Sequence, residues 1–328
     1  MQAIVYTHYG SPDMLQLTEV ATPTPRDDEV LVKVYAASVN AADLHLLRAE
    51  PFLIRLMSGL LKPKHTILGA DIAGRVEAVG RNVTQFQPGD AVFGDISGCG
   101  WGGFAEYVCA REDALVLKPA NLSFAQAAAV PMAAVTALQG LRGKGHIQAG
   151  QKVLINGASG GVGTFAVQIA KSFGAEVTAV CSTRNVERVR AIGADQVIDY
   201  AHEDFTRGAQ RYDLILAANG YHAISDYRRV LTPTGTYVMS GGTNAQLFEA
   251  ILQGPWISMT GSQTMGNMLA RPNHADLAFI NDLLEAGHVV PVIDRQYLLR
   301  EVPDAIRYLE AGHAQGKVVI AVEQSDKA

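Results

Sequence analysis

A glycine-rich segment in the middle of the chain has the residue types of a phosphate-binding turn. The apolar run 152–155 leads into residues 156–163, the Gly-rich turn, which contains Gly157, Gly160, Gly161 and Gly163. Glycine is needed where a turn is tight, where backbone approaches a pyrophosphate and where a helix packs closely on a strand. The apolar helix predicted over 162–173 would offer unpaired N–H groups and its positive dipole end to phosphates. The spacing GxxGxxG is weak evidence alone, but its strand–turn–helix–strand setting predicts a dinucleotide site.

The residues after the next predicted strand, 176–181, indicate which dinucleotide binds. An NAD site usually has Asp or Glu here, which accepts hydrogen bonds from the ribose hydroxyls. After this strand the chain instead continues Ser-Thr-Arg-Asn, and the first carboxylate that follows the strand is Glu187. Ser182 can donate to a phosphate, and Arg184 supplies a permanently charged planar fork. The pattern favours NADPH; the alternative is that Arg184 is an ordinary solvated arginine at the start of a helix.

The elements around these residues predict two kinds of folding unit. Short strands separated by turn residues, such as 29–36 and 91–94, dominate the N-terminal part and predict a compact β-barrel-like unit. From residue 152, strands and helices alternate, which predicts a parallel sheet covered on both faces, a doubly wound α/β fold. We expect residues 125–266 to form this dinucleotide-binding domain, inserted in a β domain made of 1–124 and 267–328.

Composition excludes several other classes of protein. The 328 residues are 48% hydrophobic and carry a formal net charge of −5, without a basic run, so no nucleic-acid partner is expected. Three cysteines without a CxxC pair are typical of a reducing compartment. The N-terminus lacks the layout of a signal peptide, and no apolar run is long enough to span a membrane. We therefore expect a cytoplasmic protein with no membrane partner.

Several sequence blocks, in their order along the chain, resemble one family. Besides the Gly-rich turn, these blocks are 38–43 (SVNAAD), 68–74 (LGADIAG), 87–90 (QPGD), 103–107 (GFAEY), 135–137 (VTA), 192–195 (IGAD) and 316–319 (GKVV). With them, the chain is similar to zinc-free members of the medium-chain dehydrogenase/reductase superfamily, in the NADPH:quinone oxidoreductase (zeta-crystallin-like) branch. The resemblance implies a Rossmann domain inserted in a GroES-like β-barrel domain.

The same resemblance argues against a catalytic metal. In the zinc-dependent branch, two cysteines and the histidine of a Gly-His-Glu motif hold the zinc ion. The matching positions here are Asn40, Ala70 and Met132, which provide neither thiolate nor imidazole. The nine histidines are scattered singly, and three cysteines cannot form the four-cysteine structural zinc lobe. Alcohol dehydrogenation depends on a metal that acidifies the alcohol, so the chemistry expected here is reduction.

The resemblance also implies a set of site residues. It places Asn40 near the nicotinamide or the substrate carbonyl and Thr136 at the nicotinamide end. For the rest of the cofactor it implies Ser159, Gly160, Gly161 and Val162 at the pyrophosphate, Tyr200 over the adenosine phosphate, Asn219, Ser240 and Gly241 beside the ribose and nicotinamide, and Lys317 from the last segment. Relatives usually dimerise through the edge of the dinucleotide sheet, so we expect residues 256–261 to pair with a second copy.

The function expected from these residues is hydride transfer from NADPH to a quinone or an α,β-unsaturated carbonyl compound. The side-chain amide of Asn40 is the best donor in the sequence for the oxygen that becomes negative. His45 is a candidate proton donor, and water is the alternative. Residues 51–65 read as an apolar insertion that is either a lid over the acceptor or a core helix. Two other functions stay open, a non-catalytic NADPH-binding redox sensor and an enoyl-thioester reductase.

Overall fold

The computed structural model describes residues 1–242, 258–259 and 261–322. The chain divides into two compact units. Unit 1 comprises Met1–Met132, Pro272–Glu285 and Pro291–Ala328, and unit 2 comprises Ala133–Arg271 and Ala286–Val290. Residues 256–257 and 260 lie outside the described residues, so the expected dimer segment 256–261 cannot be followed in full. The expected domain bounds, 125–266 for the dinucleotide-binding domain and 1–124 with 267–328 for the β domain, stay a prediction.

The secondary structure alternates strands and helices most regularly in unit 2. The strands are β1 (Gln2–Val5), β2 (Gln16–Glu19), β3 (Glu29–Val39), β4 (Asp71–Val79), β5 (Ala91–Asp95), β6 (Tyr107–Arg111), β7 (Leu115–Leu117), β8 (Lys152–Asn156), β9 (Glu176–Cys181), β10 (Gln196–Asp199), β11 (Tyr212–Ala217), β12 (Leu231–Met239), β13 (Thr264–Asn267), β14 (Ile293–Leu298) and β15 (Lys317–Ala321). The α-helices are α1 (Ala41–Arg48), α2 (Leu53–Ser58), α3 (Phe124–Ala128), α4 (Pro131–Leu138), α5 (Gly161–Ser172), α6 (Val186–Ala191), α7 (Ile224–Val230), α8 (His274–Glu285) and α9 (Val302–Glu310). Short 3-10 helices span Pro12–Met14, Ser97–Cys99, Glu112–Ala114, Thr183–Asn185, Phe205–Arg207 and Leu299–Glu301, and a π-helix spans Gln139–Lys144.

Most predicted elements are present, with one break that the sequence explains. Residues 125–139 have the composition of one helix, but Ala129 and Val130 separate α3 from α4. Pro131 has no N–H group and disfavours helical backbone at the residue before it, whereas it fits well at the first position of a new helix. None of the helices in the described ranges is both long and apolar enough to cross a membrane.

The main sheet of unit 1 combines strands from the N-terminal and C-terminal parts of the chain. Its strand order is β14-β15-β3-β4-β5-β7, and β6 also pairs with β3. The C-terminal strand β15 runs antiparallel to β3, with Val318 opposite Val39 and Val319 opposite Ser38. Apolar side chains of these strands form a buried core, which includes Val30, Val32 and Ile320. Lys317, the first residue of β15, therefore lies close to the end of β3.

The sheet of unit 2 is parallel and doubly wound, as predicted. Its strand order is β10-β9-β8-β11-β12-β13, and every pairing is parallel. The chain moves outward from β8 to β10 and then returns to β11 on the other side of β8. In such a sheet, ligands bind beyond the carboxyl ends of the strands at the point where the order reverses. The Gly-rich turn follows β8 at that point.

The Gly-rich turn requires glycine at two positions for steric reasons. Gly157 has a φ of +82°, a left-handed conformation that side chains disfavour. A Cβ atom on Gly163, in the first turn of α5, would lie 2.1 Å from the carbonyl oxygen of Gly157 and 2.7 Å from Cα of Ala158. The helix can therefore approach the end of β8 this closely only without a side chain at position 163.

We predict that Gly163→Ala destabilises the protein by about 3 kcal/mol, because backbone must move to admit the methyl group. The matched control is Gly266→Ala in β13, where an added Cβ would have no neighbour within 4 Å. Urea denaturation of the cofactor-free protein measures both variants. Equal stabilities of the two variants would contradict this account of the turn.

Candidate functional site

The predicted nucleotide-binding residues of unit 2 lie along one edge of its sheet. Four of them form the end of the Gly-rich turn, where Gly160 is the N-cap of α5 and all four are half-buried: Ser159, Gly160, Gly161 and Val162. The first N–H groups of a helix have no partner within that helix, so they are available to an anion. Ser182 and Arg184 follow β9, and Tyr200 follows β10.

The remaining residues of this edge follow β11 and β12. The backbone N–H of Asn219 donates to the carbonyl of Asn156 (3.3 Å), which fixes it beside the Gly-rich turn. The N–H groups of Ser240 and Gly241 both donate to the carbonyl of Ala217 (3.0 and 3.3 Å). Thus the ends of five parallel strands present every predicted cofactor residue of unit 2 except Thr136, which lies in α4 and is 8% exposed.

Two buried amide oxygens on the same edge fit a bound nucleotide. The Oδ1 atoms of Asn156, at the end of β8, and Asn185, after β9, have no hydrogen-bond partner. A buried acceptor without a partner is costly, and a donor such as a ribose hydroxyl would satisfy it. Tyr200 is 51% exposed, and its ring meets that of Tyr221 edge-on at 5.9 Å. The residues present therefore fit a dinucleotide.

Unit 1 contains a group of buried polar side chains at the ends of its strands, which we call the Lys317 cluster. Its members are charged or amide side chains that are at most 8% exposed: Asn40, Asp43, Asp71, Asp95 and Lys317. They converge because β3 ends and β4 begins side by side, with Ser38 opposite Asp71. In the same way Asp71 lies opposite Asp95 of β5.

Asp71 is the centre of the hydrogen bonds in this cluster. Its Oδ2 atom accepts from Asn40 Nδ2 and from Ser38 Oγ, both at 2.9 Å, and lies 3.5 Å from Lys317 Nζ. Its Oδ1 atom accepts from the backbone N–H of Met132 at 3.0 Å. Lys317 Nζ donates to Asn40 Oδ1 at 2.5 Å. The ammonium thus bridges an amide oxygen and a carboxylate in the interior of unit 1.

Asp43 fixes the start of α1. Its carboxylate accepts from the backbone N–H of Asn40 and from that of Gly69, each at 2.8 Å. A carboxylate at this position of a helix caps it and interacts favourably with the helix dipole. The bond to Gly69 also ties the helix to the segment that precedes β4.

Burial controls the charges of the cluster. It raises the pKa of Asp43 to about 7, against the stabilising effect of the two N–H groups on the carboxylate. Burial and the charge of Asp71 raise the pKa of Asp95 to about 6. Burial lowers the pKa of Lys317, and the charges of Asp71, Asp43 and Asp95 oppose that decrease. Burial therefore makes the ionised forms of Asp43, Asp95 and Lys317 less favourable than they would be in water.

The structure places Asn40 and Lys317 in the Lys317 cluster, whereas His45 lies outside its hydrogen bonds. Asn40 lies inside the cluster, where one amide N–H donates strongly to Asp71 and the other makes a contact of 3.5 Å with the carbonyl of Ser38, at the limit of hydrogen bonding. Lys317, predicted to reach the cofactor, has its ammonium in the cluster. His45 is exposed on α1, and its Nδ1 lies 2.9 Å from the carbonyl oxygen of Glu50, away from the cluster hydrogen bonds.

Sequence reasoning missed Asp71 and Asp95 as site residues. Each carboxylate stands at the end of an apolar strand, Asp71 before Ile72 and Asp95 after 91–94. A carboxylate that belongs to a buried strand is unusual unless it has a partner. That contrast is the signal that could have identified them.

The donor set of the Lys317 cluster does not fit zinc. The matching positions Asn40 and Met132 provide an amide and a thioether, and the Lys317 ammonium lies against both Asn40 and Asp71. Within the part of the chain that the structure describes, no group of three or more His, Cys, Asp or Glu side chains is arranged to hold a metal ion.

Comparison with known proteins gives the same architecture. The family "Alcohol dehydrogenase GroES-like domain" matches residues 26–120, and "Zinc-binding dehydrogenase" matches residues 192–320. The chain is 37% identical to a 2-methylene-furan-3-one reductase of Solanum lycopersicum, over 98% of this chain and 79% of that protein. It is 33% identical to an NADPH-dependent alkenal/one oxidoreductase, chloroplastic, of Arabidopsis thaliana, over 98% of this chain and 79% of that protein. The quinone oxidoreductase of Coxiella burnetii is similar in structure, with a TM-score of 0.87 and 32% identity over 98% of this chain and 99% of that one.

We predict that the Asp95 carboxyl group makes the protein less stable as the pH rises from about 4 to about 7. Its pKa is raised to about 6 in the folded protein from 3.8, so the folded state holds a proton that the unfolded state has released over this range. Asp95→Asn should remove about 1 kcal/mol of the loss in unfolding free energy between pH 5 and pH 8, as measured in urea.

The control is Asp282→Asn, since Asp282 is exposed on α8, and it should keep the wild-type pH dependence. The same loss of stability in wild type and Asp95→Asn would contradict the assignment.

Proposed function

This chain belongs to the medium-chain dehydrogenase/reductase superfamily, and we propose that it reduces quinones or α,β-unsaturated carbonyl compounds with NADPH and without a metal ion. The donor set of the Lys317 cluster carries the proposal. An amide, carboxylates and an ammonium cannot acidify an alcohol as a bound metal does, but an N–H group can stabilise an oxygen that becomes negative. The names of the tomato and Arabidopsis relatives support this substrate class.

In the proposed reaction, the Gly-rich turn and the residues after β9 to β12 would hold NADPH, which would supply a hydride for the carbon β to the carbonyl group, or for the quinone ring system. The electron pair moves to the carbonyl oxygen, which becomes an enolate or quinol oxygen. Asn40 contributes the hydrogen bond to that oxygen through the amide N–H that contacts Ser38 at 3.5 Å. This N–H is the weakly held one, so it can change partners at little cost.

A proton must then reach the reduced product. His45 Nδ1 lies beside the carbonyl oxygen of Glu50, and a carbonyl group can only accept, so Nδ1 carries the hydrogen in the neutral ring. Nε2 can therefore donate a proton only when the ring is the imidazolium ion. We propose water or the His45 imidazolium as the proton source.

The nicotinamide cofactor is proposed to be NADPH rather than NADH. Ser182 is half-buried and Arg184 is exposed directly after β9, and the nearest carboxylate in sequence, Glu187, is paired with Arg190 at 2.6 Å. A 2′-phosphate at the end of this strand would meet the hydroxyl of Ser182 and the guanidinium of Arg184. The carboxylate of Asp199, at the end of the neighbouring strand β10, is hydrogen-bonded to Thr183.

The proposal also includes a homodimer, a small-molecule acceptor and a cytoplasmic location. The Arabidopsis relative is named as chloroplastic, a compartment that differs from the one proposed for this chain. Fluorescence microscopy of the tagged protein and sedimentation of the purified protein address these points.

We predict that Arg184→Ala raises the Kd for NADPH about tenfold or more, because a charge-assisted hydrogen bond to the phosphate is lost, with little effect on NADH. Arg190→Ala, which loses the exposed ion pair with Glu187, is the control and should keep the wild-type Kd for both. Fluorescence titration measures these values. Equal affinity of the wild type for NADPH and NADH would overturn the cofactor assignment.

We predict that Asn40→Ala lowers kcat on the order of 100-fold while the Kd for NADPH changes little, because a donor to the developing oxyanion is removed. Asn121→Ala is the control; this amide donates to the carbonyl of Leu284 at 3.0 Å and has no part in the proposal. The assay follows NADPH oxidation with quinones, enones, enoyl thioesters and aldehydes. Unchanged kcat in Asn40→Ala would remove this residue from the mechanism.

The same panel separates the competing functions. Turnover of enoyl thioesters alone would establish the thioester reductase. Tight NADPH binding without turnover of any compound would establish a redox sensor.

A further inference from the structure

The side-chain amide of Asn40 is held on both sides by charged groups. Its oxygen accepts from the Lys317 ammonium at 2.5 Å, and its nitrogen donates to the Asp71 carboxylate at 2.9 Å. The Lys317 ammonium also lies 3.5 Å from the same carboxylate oxygen of Asp71, so the three side chains contact one another in a closed triangle, and none is more than 7% exposed. Water therefore cannot easily replace either bond.

These two bonds define which way the amide points. Rotation of the amide by half a turn would place its NH₂ group against the ammonium and its oxygen against the carboxylate. Both contacts would then be repulsive, and repulsion is poorly screened in the interior. Only one orientation is therefore compatible with the charges on either side.

Both charged groups are themselves fixed by strand ends. Asp71 is held by Ser38 Oγ at 2.9 Å and by the N–H of Met132 at 3.0 Å. Lys317 is the first residue of β15, which pairs with β3 directly beside Asn40. A side chain supported by rigid elements keeps its geometry better than one supported by loops.

We propose that Lys317 is a positioning residue for Asn40. Its ammonium holds the amide oxygen, so that the weakly bound amide N–H points to where the substrate oxygen becomes negative. The inference rests on the proposed function of Asn40, but it assigns to Lys317 a role through another side chain instead of a contact with the cofactor.

A double-mutant cycle tests this role. Lys317→Met keeps the length of the side chain and removes the ammonium, and it should lower kcat at least tenfold while the Kd for NADPH stays within twofold of wild type. In an Asn40→Ala background the same substitution should lower kcat less than twofold further, because its effect passes through Asn40. Independent, multiplicative losses would overturn the proposal, as would a raised Kd for NADPH with unchanged kcat, which would make Lys317 a cofactor ligand.

Asp71→Asn provides a second route if Lys317→Met does not fold. It keeps the shape of the side chain and removes the charge of the carboxylate whose Oδ2 lies 3.5 Å from the Lys317 ammonium. Because the amide of Asn40 then loses one of its two charged partners, kcat should fall, and again not further in the Asn40→Ala background. A loss of the same size in both backgrounds would contradict the positioning role.

Chemical rescue gives a readout that a merely structural lysine would not show. In Lys317→Ala, added ethylammonium or propylammonium should bind in the space left by the side chain and raise kcat at least fivefold. The rescued kcat should not rise in the Lys317→Ala/Asn40→Ala double variant. Lys171→Ala is the control, because Lys171 pairs with Asp195 at 2.8 Å where both are about one third exposed, and amines should have no effect there.

The same amines separate a failure of this inference from a failure of the proposed function. They should also raise the melting temperature of cofactor-free Lys317→Ala by several degrees, a measurement that needs no substrate. A wild type that reduces none of the panel compounds, together with this thermal rescue, would reject the function alone. Turnover by the wild type without any amine rescue of Lys317→Ala would reject the role of Lys317.

Discussion

A buried ammonium must have partners, and unit 1 is arranged around this requirement. Lys317 is 3% exposed, and its partners Asn40 and Asp71 come from the end of β3 and the start of β4. Removing one member of such a group leaves an uncompensated buried charge, which typically costs about 3–5 kcal/mol. The pairing of β15 with β3 therefore places Lys317 next to Asn40 and Asp71. Among the lysines that the structure describes, only Lys317 contacts this pair. The polar cluster depends on this strand pairing for its cation.

Unit 2 depends on a different constraint, the close approach of a helix to the end of a strand. Gly157 and Gly163 allow α5 to begin directly beyond β8, and the parallel sheet brings the ends of the neighbouring strands to the same edge. The residues proposed for the phosphates and riboses all follow from this one arrangement. The two units therefore differ in chemistry. Unit 2 carries the residues that fit a nucleotide, whereas unit 1 carries Asn40, whose amide we propose as the donor to an oxygen that becomes negative.

The fold could be predicted from the sequence, because apolar periodicity and glycine spacing are local patterns that indicate the strands, the Gly-rich turn and the helix after it. Ser182 was predicted from its place after the second strand of this unit, whereas Tyr200 and Asn219 came from the resemblance, and the structure places all three at the same edge of the sheet. The Lys317 cluster could not be derived in this way. Lys317 and Asn40 are 277 residues apart in the chain, and the orientation of an amide depends on neighbours that no local pattern reveals. His45 is exposed because it lies two residues from the buried Asp43 on α1, on the opposite face of the helix.

The central claim is direct hydride transfer to an activated acceptor, and isotope transfer tests it most directly. The enzyme is incubated with NADPH that carries deuterium at both C4 positions and with an α,β-unsaturated ketone in ordinary water, and the product is analysed by NMR. The account predicts one deuterium at the β carbon and a solvent hydrogen at the α carbon. A product without deuterium at the β carbon, formed while NADPH is oxidised, would contradict it.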